Sequence, residues 1–257
     1  MLDDLYAGAL ADAEARRAVR PLSVVERDAL ARPQAVDARA ALQPAERVKI
    51  IAEVKRASPS RGDLSAIPDP ASLALSYQTG GASAISVLTE GRRFKGTLAD
   101  LEAVRDVVSV PVLRKDFIAE AYQVLEARAA GADLVLLIVA GLAQAKLVEL
   151  HELVLSLGMT ALIETHSAEE VERGLDAGAT VLGVNARDLT TFDLDPDLFG
   201  SLADRIPSGV VRVAESAVTA PSDVAHYRRA GADVVLVGEA LVVHGDPVDA
   251  LTTFLEV

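Results

Sequence analysis

Cysteine and tryptophan are both absent from the 257 residues, and only 4% of them are aromatic. Without thiols the chain has no disulfide, no thiolate nucleophile and no Cys-ligated metal, which suits a reducing, cytoplasmic setting. Its core must come from Ala, Val and Leu, in a composition that is 51% hydrophobic. A basic excess is missing as well. The formal charge is −13, the opposite of the footprint of a general nucleic-acid or membrane surface. No run approaches the roughly 18 apolar residues of a membrane-spanning helix. The acidic start, MLDDLYAGAL, has neither the basic region nor the apolar run of a secretory signal. Neither G-x-G-x-x-G nor G-x-x-x-x-G-K-[ST] occurs. His151, His166, His226 and His244 have no second histidine at i+4 and no paired carboxylates at ligand spacing. Three of them read as surface residues and His166 as part of a solvated loop, so no metal or other cofactor is required.

What the chain does have is alternation. At this length it holds either one α/β barrel or two ordinary domains. Residues 1–47 read as helical at Leu2–Val19 and Leu22–Ala31, interrupted by Pro21, Pro33 and Pro44. That segment is too short for its own core and is expected to be an extension of the same domain. From Val48 to the end at Val257, short apolar runs alternate with amphipathic stretches. The runs are Val48–Lys55, Ala84–Thr89, Pro111–Phe117, Leu134–Ala140, Thr160–Thr165, Val181–Asn185, Val210–Glu215 and Asp233–Val237. The helical stretches include Thr97–Val107, Glu120–Ala130, Ala143–Leu157, Ala168–Ala177, Pro196–Arg205 and Pro221–Ala230. Eight such units predict an α/β fold, a (β/α)8 TIM barrel with an N-terminal helical extension. Gly81-Ala82, Gly131-Ala132, Gly178-Ala179 and Gly231-Ala232 each end a helix ahead of a strand. They recur about every 50 residues, two β/α units per period, and read as one repeated turn with glycine at the helix end.

Barrel enzymes carry their chemistry at the C-terminal ends of the strands, and polar residues concentrate there. The first strand, in the stretch IIAEVKRASPSRG, has Val48, Ile50, Ala52 and Val54 on one face, with Glu53 and Lys55 at the end of the other. Lys115 is in register with Leu113, Glu164 with Leu162, and Asn185 and Arg187 with Gly183, while Glu215 and Ser216 end the seventh strand. A single Lys–Glu pair inside a barrel would read as structural. Five strands contributing charge at one end point to a site, because each desolvated charge needs a partner. Crowding of this kind keeps a lysine protonated and raises a carboxyl in apolar surroundings, which supplies an acid and a base. After the last two strands come Ser216-Ala217 and Gly238-Glu239, where barrels of this type bind phosphate. Ser58 can add a hydroxyl from across the mouth.

The segments IIAEVKRASPSRG, SVLTEGRRFKG, VLRKDFI, VLLIV, LIETH, GVNARDL, VAES and LVGEAL occur in that order. Together they closely resemble the indole-3-glycerol phosphate synthase family of tryptophan biosynthesis, from about Val48 to Val242. The resemblance implies a small phosphosugar substrate, 1-(2-carboxyphenylamino)-1-deoxyribulose 5-phosphate, closed to an indole with loss of CO2 and water. No nucleic acid or membrane is implied as a partner; a monomer is expected, a weak dimer being the alternative. By resemblance Lys115 is the general acid and Glu164 the general base, while Lys55, paired with Glu53, contacts the carboxylate or serves as a second acid. Asn185, Glu215 and Ser216 form the supporting polar network, and Arg187 orients a carboxylate. Phe94, Phe117, Leu136 and Leu189 match the pocket for the anthranilate ring. Ser58, Ser216, Ala217, Gly238 and Glu239 match the phosphate positions. Two features depart from the family. Where it usually reads ESG, this chain has Glu215-Ser216-Ala217, and alanine there costs about 1 kcal/mol if φ is positive. The extension, which in the family folds over the barrel mouth, also lacks the tryptophan some members place over the substrate. A related barrel, phosphoribosylanthranilate isomerase, works with a Cys–Asp pair and does not fit a chain without cysteine. A retired paralogue that only binds a phosphosugar is disfavoured by the intact acid–base positions.

Overall fold

A computed structural model of the chain describes residues 2–58, 62–64, 67–243 and 246–257. Pro59, Ser60 and His244 of the sequence reading lie outside the described residues. The extension forms three helices, α1 (Leu2–Val19), α2 (Leu22–Ala31) and α3 (Ala38–Leu42), the third not foreseen from sequence. Eight parallel strands then close into a barrel. They are β1 (Lys49–Val54), β2 (Ala84–Leu88), β3 (Val112–Lys115), β4 (Leu134–Ile138), β5 (Thr160–Thr165), β6 (Val181–Asn185), β7 (Val211–Glu215) and β8 (Val234–Val237), with β8 paired back onto β1. Every expected strand is present, its ends trimmed by at most two residues. Strands such as β4, LVLLI, are buried along their whole length, as parallel strands covered on both faces must be.

The intervening helices are α4 (Pro70–Thr79), α5 (Leu98–Val107), α6 (Ala121–Ala130), α7 (Gln144–Ser156), α8 (Ala168–Asp176), α9 (Leu198–Leu202), α10 (Pro221–Arg229), α11 (Glu239–Val243) and α12 (Pro247–Leu255). Side-chain caps start several of them: Asp69 for α4, Thr97 with Asp100 for α5, Ser167 for α8 and Asp246 for α12. The stretch expected to be helical over Pro196–Arg205 is shorter, a five-residue helix followed by one 3-10 turn at Ala203–Arg205. The four Gly-Ala pairs sit before the even-numbered strands, and their glycines share a left-handed φ of 91–103°, which explains the residue type.

The extension runs the full height of the barrel. At the mouth, the Tyr6 ring meets Phe117 edge-on with centroids 5.8 Å apart. Lower down, Arg16 donates to Glu126 of α6 at 2.6 and 2.9 Å. Val25 and Ala29 of α2 pack on Leu125 and Ala129 of α6 in a small second core. At the N-terminal ends of the strands, the Val36 N–H donates to Asp133 at 2.8 Å and the Lys49 ammonium donates to the Ala41 carbonyl at 2.7 Å. Ala38 and Leu42 of α3 are wholly buried there and belong to the main core. No helix among the described residues is long and apolar enough to cross a membrane.

A single unfolding transition is expected if extension and barrel fold as one unit. Leu42→Ala should then lower it by about 2–5 kcal/mol, the range for a large-to-small core change. Denaturant unfolding followed by circular dichroism checks this, and a separate early transition for the extension would contradict it.

Candidate active site

The core ends, at the mouth, in charge. Glu53 comes from β1, Lys115 from β3, Glu164 from β5 and Glu215 from β7. The Lys115 ammonium lies 3.5 Å from Glu164 Oε2 and 3.6 Å from Glu215 Oε2. Lys55, just past β1, lies 2.8 Å from Glu53 Oε1, and the Ser86 hydroxyl donates to the other Glu53 oxygen at 3.4 Å. Backbone space makes this possible. A Cβ at Gly183 in β6 would come within 2.2 Å of Glu215 Oε1, and one at Gly238 within 2.7 Å of Glu53 Oε1. Glycine at both positions leaves room for the neighbouring carboxyl.

Desolvation and charge oppose each other at every one of these groups. Burial works against the Lys115 cation, but Glu164, Glu215 and Glu53 outweigh it and push its pKa up. Burial would raise Glu164, yet Lys115, with His166 and Asn185, holds it well below the usual carboxylate range. Glu53 is likewise held down, against burial, by Lys55 and then Lys115. Glu215 is the exception. Burial and the Glu164 charge beside it push its carboxyl up to about 8, against the pull of Lys115. Neither Glu215 oxygen has a hydrogen-bond partner among the described residues, and in such surroundings the neutral form is favoured. The raised carboxyl anticipated from sequence is therefore Glu215, while Glu164 is ionised.

These groups open on a cavity of about 390 Å³. All sixteen site residues expected from sequence line it: Glu53, Lys55, Ser58, Phe94, Lys115, Phe117, Leu136, Glu164, Asn185, Arg187, Leu189, Glu215, Ser216, Ala217, Gly238 and Glu239. One wall is apolar. Phe94 and Phe117 lie 6.2 Å apart between ring centroids. The buried Glu90 carboxylate shapes the loop that carries Phe94 by accepting the backbone N–H groups of Arg92, Arg93 and Phe94 at 2.7–2.9 Å. The polar loop after β1 is anchored by Arg56, whose guanidinium donates to both oxygens of Asp100 at 2.6 and 2.9 Å. Asn185 Oδ1 accepts the Arg187 N–H at 3.0 Å, and the Arg187 guanidinium donates to the Phe192 carbonyl at 3.1 Å. Opposite, Ser216 and Ala217 both adopt left-handed backbone, with φ of 67° and 54°. The alanine thus occupies the strained conformation that glycine would adopt freely.

Two histidine expectations are corrected. His151 is not on the surface; it is 3% exposed, and its Nδ1 bonds the Ala177 carbonyl at 2.8 Å. His166 is not in a solvated loop. Its Nε2 lies 3.4 Å from Glu164 Oε1 and its Nδ1 3.2 Å from Glu170 Oε2, both facing carboxylates that outweigh the effect of burial and push its pKa up to about 10. His226 is half-exposed, 3.2 Å from Asp197. Leu5 of α1 and Phe192 also line the cavity. Neither was found from sequence: Leu5 is one apolar residue of a helix outside the quoted motifs, and Phe192 belongs to an irregular loop.

Fold and site together define the class, a barrel enzyme with paired lysine and glutamate side chains at the floor of a cavity at the strand ends. Solved structures bear on the fold alone. 3-Hexulose-6-phosphate synthase matches with a TM-score of 0.64 at 17% identity, over 81% of this chain and 99% of that one. Thiamine phosphate pyrophosphorylase from Pyrococcus furiosus matches with a TM-score of 0.62 at 15% identity, over 85% and 96%. Sequence comparison is narrower. The family model described as indole-3-glycerol phosphate synthase matches residues 2–254. A relative of that name from Leifsonia xyli is 67% identical over 99% of this chain and 97% of its own length. One from Mycobacteroides abscessus is 57% identical over 96% and 90%. The chain belongs to the indole-3-glycerol phosphate synthase family.

Two outcomes are expected. Ala217→Gly should raise stability by about 1 kcal/mol through released backbone strain, measured by thermal unfolding. Glu215 has its folded pKa raised from 4.5 to about 8, so the folded protein holds a proton there that the unfolded chain has lost. Its stabilising contribution is full below 4.5 and is lost as pH rises through about 8. Between those limits wild type should lose stability relative to Glu215→Gln. Calorimetric melting across that range checks the sign.

Proposed function

We propose that Lys115 and Glu164 carry the proton transfers by which this member of the family closes the indole ring of 1-(2-carboxyphenylamino)-1-deoxyribulose 5-phosphate. The observation that supports this most directly is the Lys115 ammonium 3.5 Å from Glu164, at the floor of a cavity with an apolar wall on one side and backbone N–H groups on the other. The substrate phosphate sits against the N–H groups of Ala217, Gly238 and Glu239, with the Ser216 and Ser58 hydroxyls. The anthranilate ring lies among Phe94, Phe117, Leu136 and Leu189, beneath Leu5. Lys55 holds the aromatic carboxylate, and Glu53 fixes Lys55.

As the carboxylate-bearing aromatic carbon attacks the ribulose C2 carbonyl, Lys115 gives a proton to the carbonyl oxygen. The C–CO2 bond then breaks and its electron pair restores the aromatic ring. The new hydroxyl departs as water when it is protonated by a lysine ammonium, while Glu164 accepts the proton released on the sugar–amine side. That proton passes back to Lys115 over the Lys115–Glu164 gap, and the one further proton that loss of the carboxylate as CO2 consumes overall is taken up from solvent by the lysine that protonated the hydroxyl. Glu215 and Asn185 hold the pair in register, and Arg187 stabilises the loop behind them.

Turnover is read by the fluorescence of indoleglycerol phosphate formed from the carboxyphenylamino substrate. Lys115→Ala should lose roughly 10²–10⁴-fold in kcat, the range for acid–base catalysis, with the protein still folded. A wild-type protein that forms no product, or a Lys115→Ala variant as active as wild type, would overturn the assignment.

A further inference from the structure

His166 stands one residue past β5 and one residue before the Ser167 cap of α8. Its side chain is 13% exposed, and its two ring nitrogens face different carboxylates. Nδ1 bonds Glu170 Oε2 at 3.2 Å, while Nε2 lies at ion-pair distance, 3.4 Å, from Glu164 Oε1 without hydrogen-bond geometry. The same Glu170 oxygen accepts the His166 backbone N–H at 2.8 Å, which locks the ring's position at the start of α8. A neutral imidazole carries one N–H and one bare lone pair. Between two anions it would set that lone pair against a carboxylate at one end, whereas an imidazolium bonds Glu170 through Nδ1 and presents a second N–H and its positive charge to Glu164. Glu164 is held from its other side too, because its second oxygen, Oε2, is the one that meets Lys115.

We propose that His166 is a positioning residue of the reaction: as an imidazolium bridging Glu164 and Glu170, it fixes the carboxylate plane in which Glu164 faces Lys115. This rests on the role given to Glu164 above. The charged groups around the ring agree with a cation. Glu164 on β5, Glu170 on α8 and Asp188 in the loop after β6 all act on it, and Lys115 lies beyond Glu164. The bridge also decides where the exchangeable proton rests. With cations at both of its oxygens, Glu164 stays ionised, and the neighbouring Glu215 keeps the proton.

Two measurements test the bridge. In protein with 15N-labelled histidine and no substrate, both His166 ring nitrogens should be protonated at pH 8, where an ordinary imidazole is neutral. A bare ring nitrogen there overturns the proposal. In turnover, His166→Ala should lower kcat by up to about 10²-fold, as misplacement of a reacting group does, with KM little changed. Its acid limb should move to higher pH, because Glu164 loses a cation. His166→Asn keeps a donor without the charge, so it should recover part of kcat but not the shifted limb. Unchanged kcat and pH profile in His166→Ala would overturn the positioning role. The nitrogen spectrum needs no substrate, so an inactive wild-type protein, which would overturn the assigned reaction, is distinguishable from a neutral His166 ring.

Discussion

The ammonium of Lys115 is buried among carboxylates, and the organisation of the mouth follows from keeping it there. A desolvated cation is tolerable only when opposite charges surround it, yet three ionised carboxylates would be equally untenable together. The arrangement balances through Glu215, whose carboxyl is pushed up by its burial and then by the Glu164 charge beside it, so that the neutral form is favoured. Lys115, Lys55 and His166 then face Glu164, Glu53 and Glu170. Each cation has a carboxylate within ion-pair distance, and Glu215 lies 3.6 Å from Lys115.

Closure of the sheet is what allows such a set. Glu53, Lys115, Glu164 and Glu215 come one from each odd-numbered strand, which is how a barrel of this type builds a layer of its interior. In an open sheet, alternate strands would not face one another. Two glycines complete the layer by withdrawing from it. Gly183 in β6 pairs with Glu164 on one side and Val213 on the other, and lets the Glu215 carboxyl lie across it. Gly238, just beyond β8, does the same for Glu53. Gly238 therefore leaves space for a carboxyl at the same position proposed above to offer its N–H to the phosphate.

The barrel was legible because its strands are covered on both faces and their apolar runs stand out against amphipathic helices. The polar ends were legible because side chains alternate with period 2. The same rule, carried one step past β5, would have found His166: Leu162, Glu164 and His166 share parity, and Glu170 stands four residues on. The strand ends at Thr165, and His166 lies in the bend that leads to the extended Ser167 cap of α8. His151 was missed for a parallel reason. Leu147, Leu150, His151 and Val154 are all buried on one face of α7, so helical spacing marked the histidine as interior. By contrast α3 and the two-residue strands Ala57–Ser58 and Gly62–Asp63 carry no periodic signal, because they are shorter than a period can define. Which glutamate keeps its proton was also out of reach, since that depends on distances between strands far apart in sequence.

The extension links the mouth to the opposite end of the barrel through buried charge. Arg114 on β3 is wholly buried and donates to Glu126 of α6 at 3.0 Å and to Asp116 at 2.9 Å. Glu126 also accepts from Arg16 of α1, so the helix over the mouth shares a carboxylate with the strand that carries Lys115. Asp133, at the other end, accepts from Val36 of the extension, from Val112 at the start of β3 and from Arg105 of α5. β3 is thereby tied to the extension at both ends. A buried carboxylate that loses a cation is costly, so a shift of α1 that breaks Arg16–Glu126 leaves Glu126 to Arg114 alone. The extension thus does more than line the cavity with Leu5: the carboxylates that seat it, Glu126 and Asp133, are the same ones that hold the strand carrying Lys115.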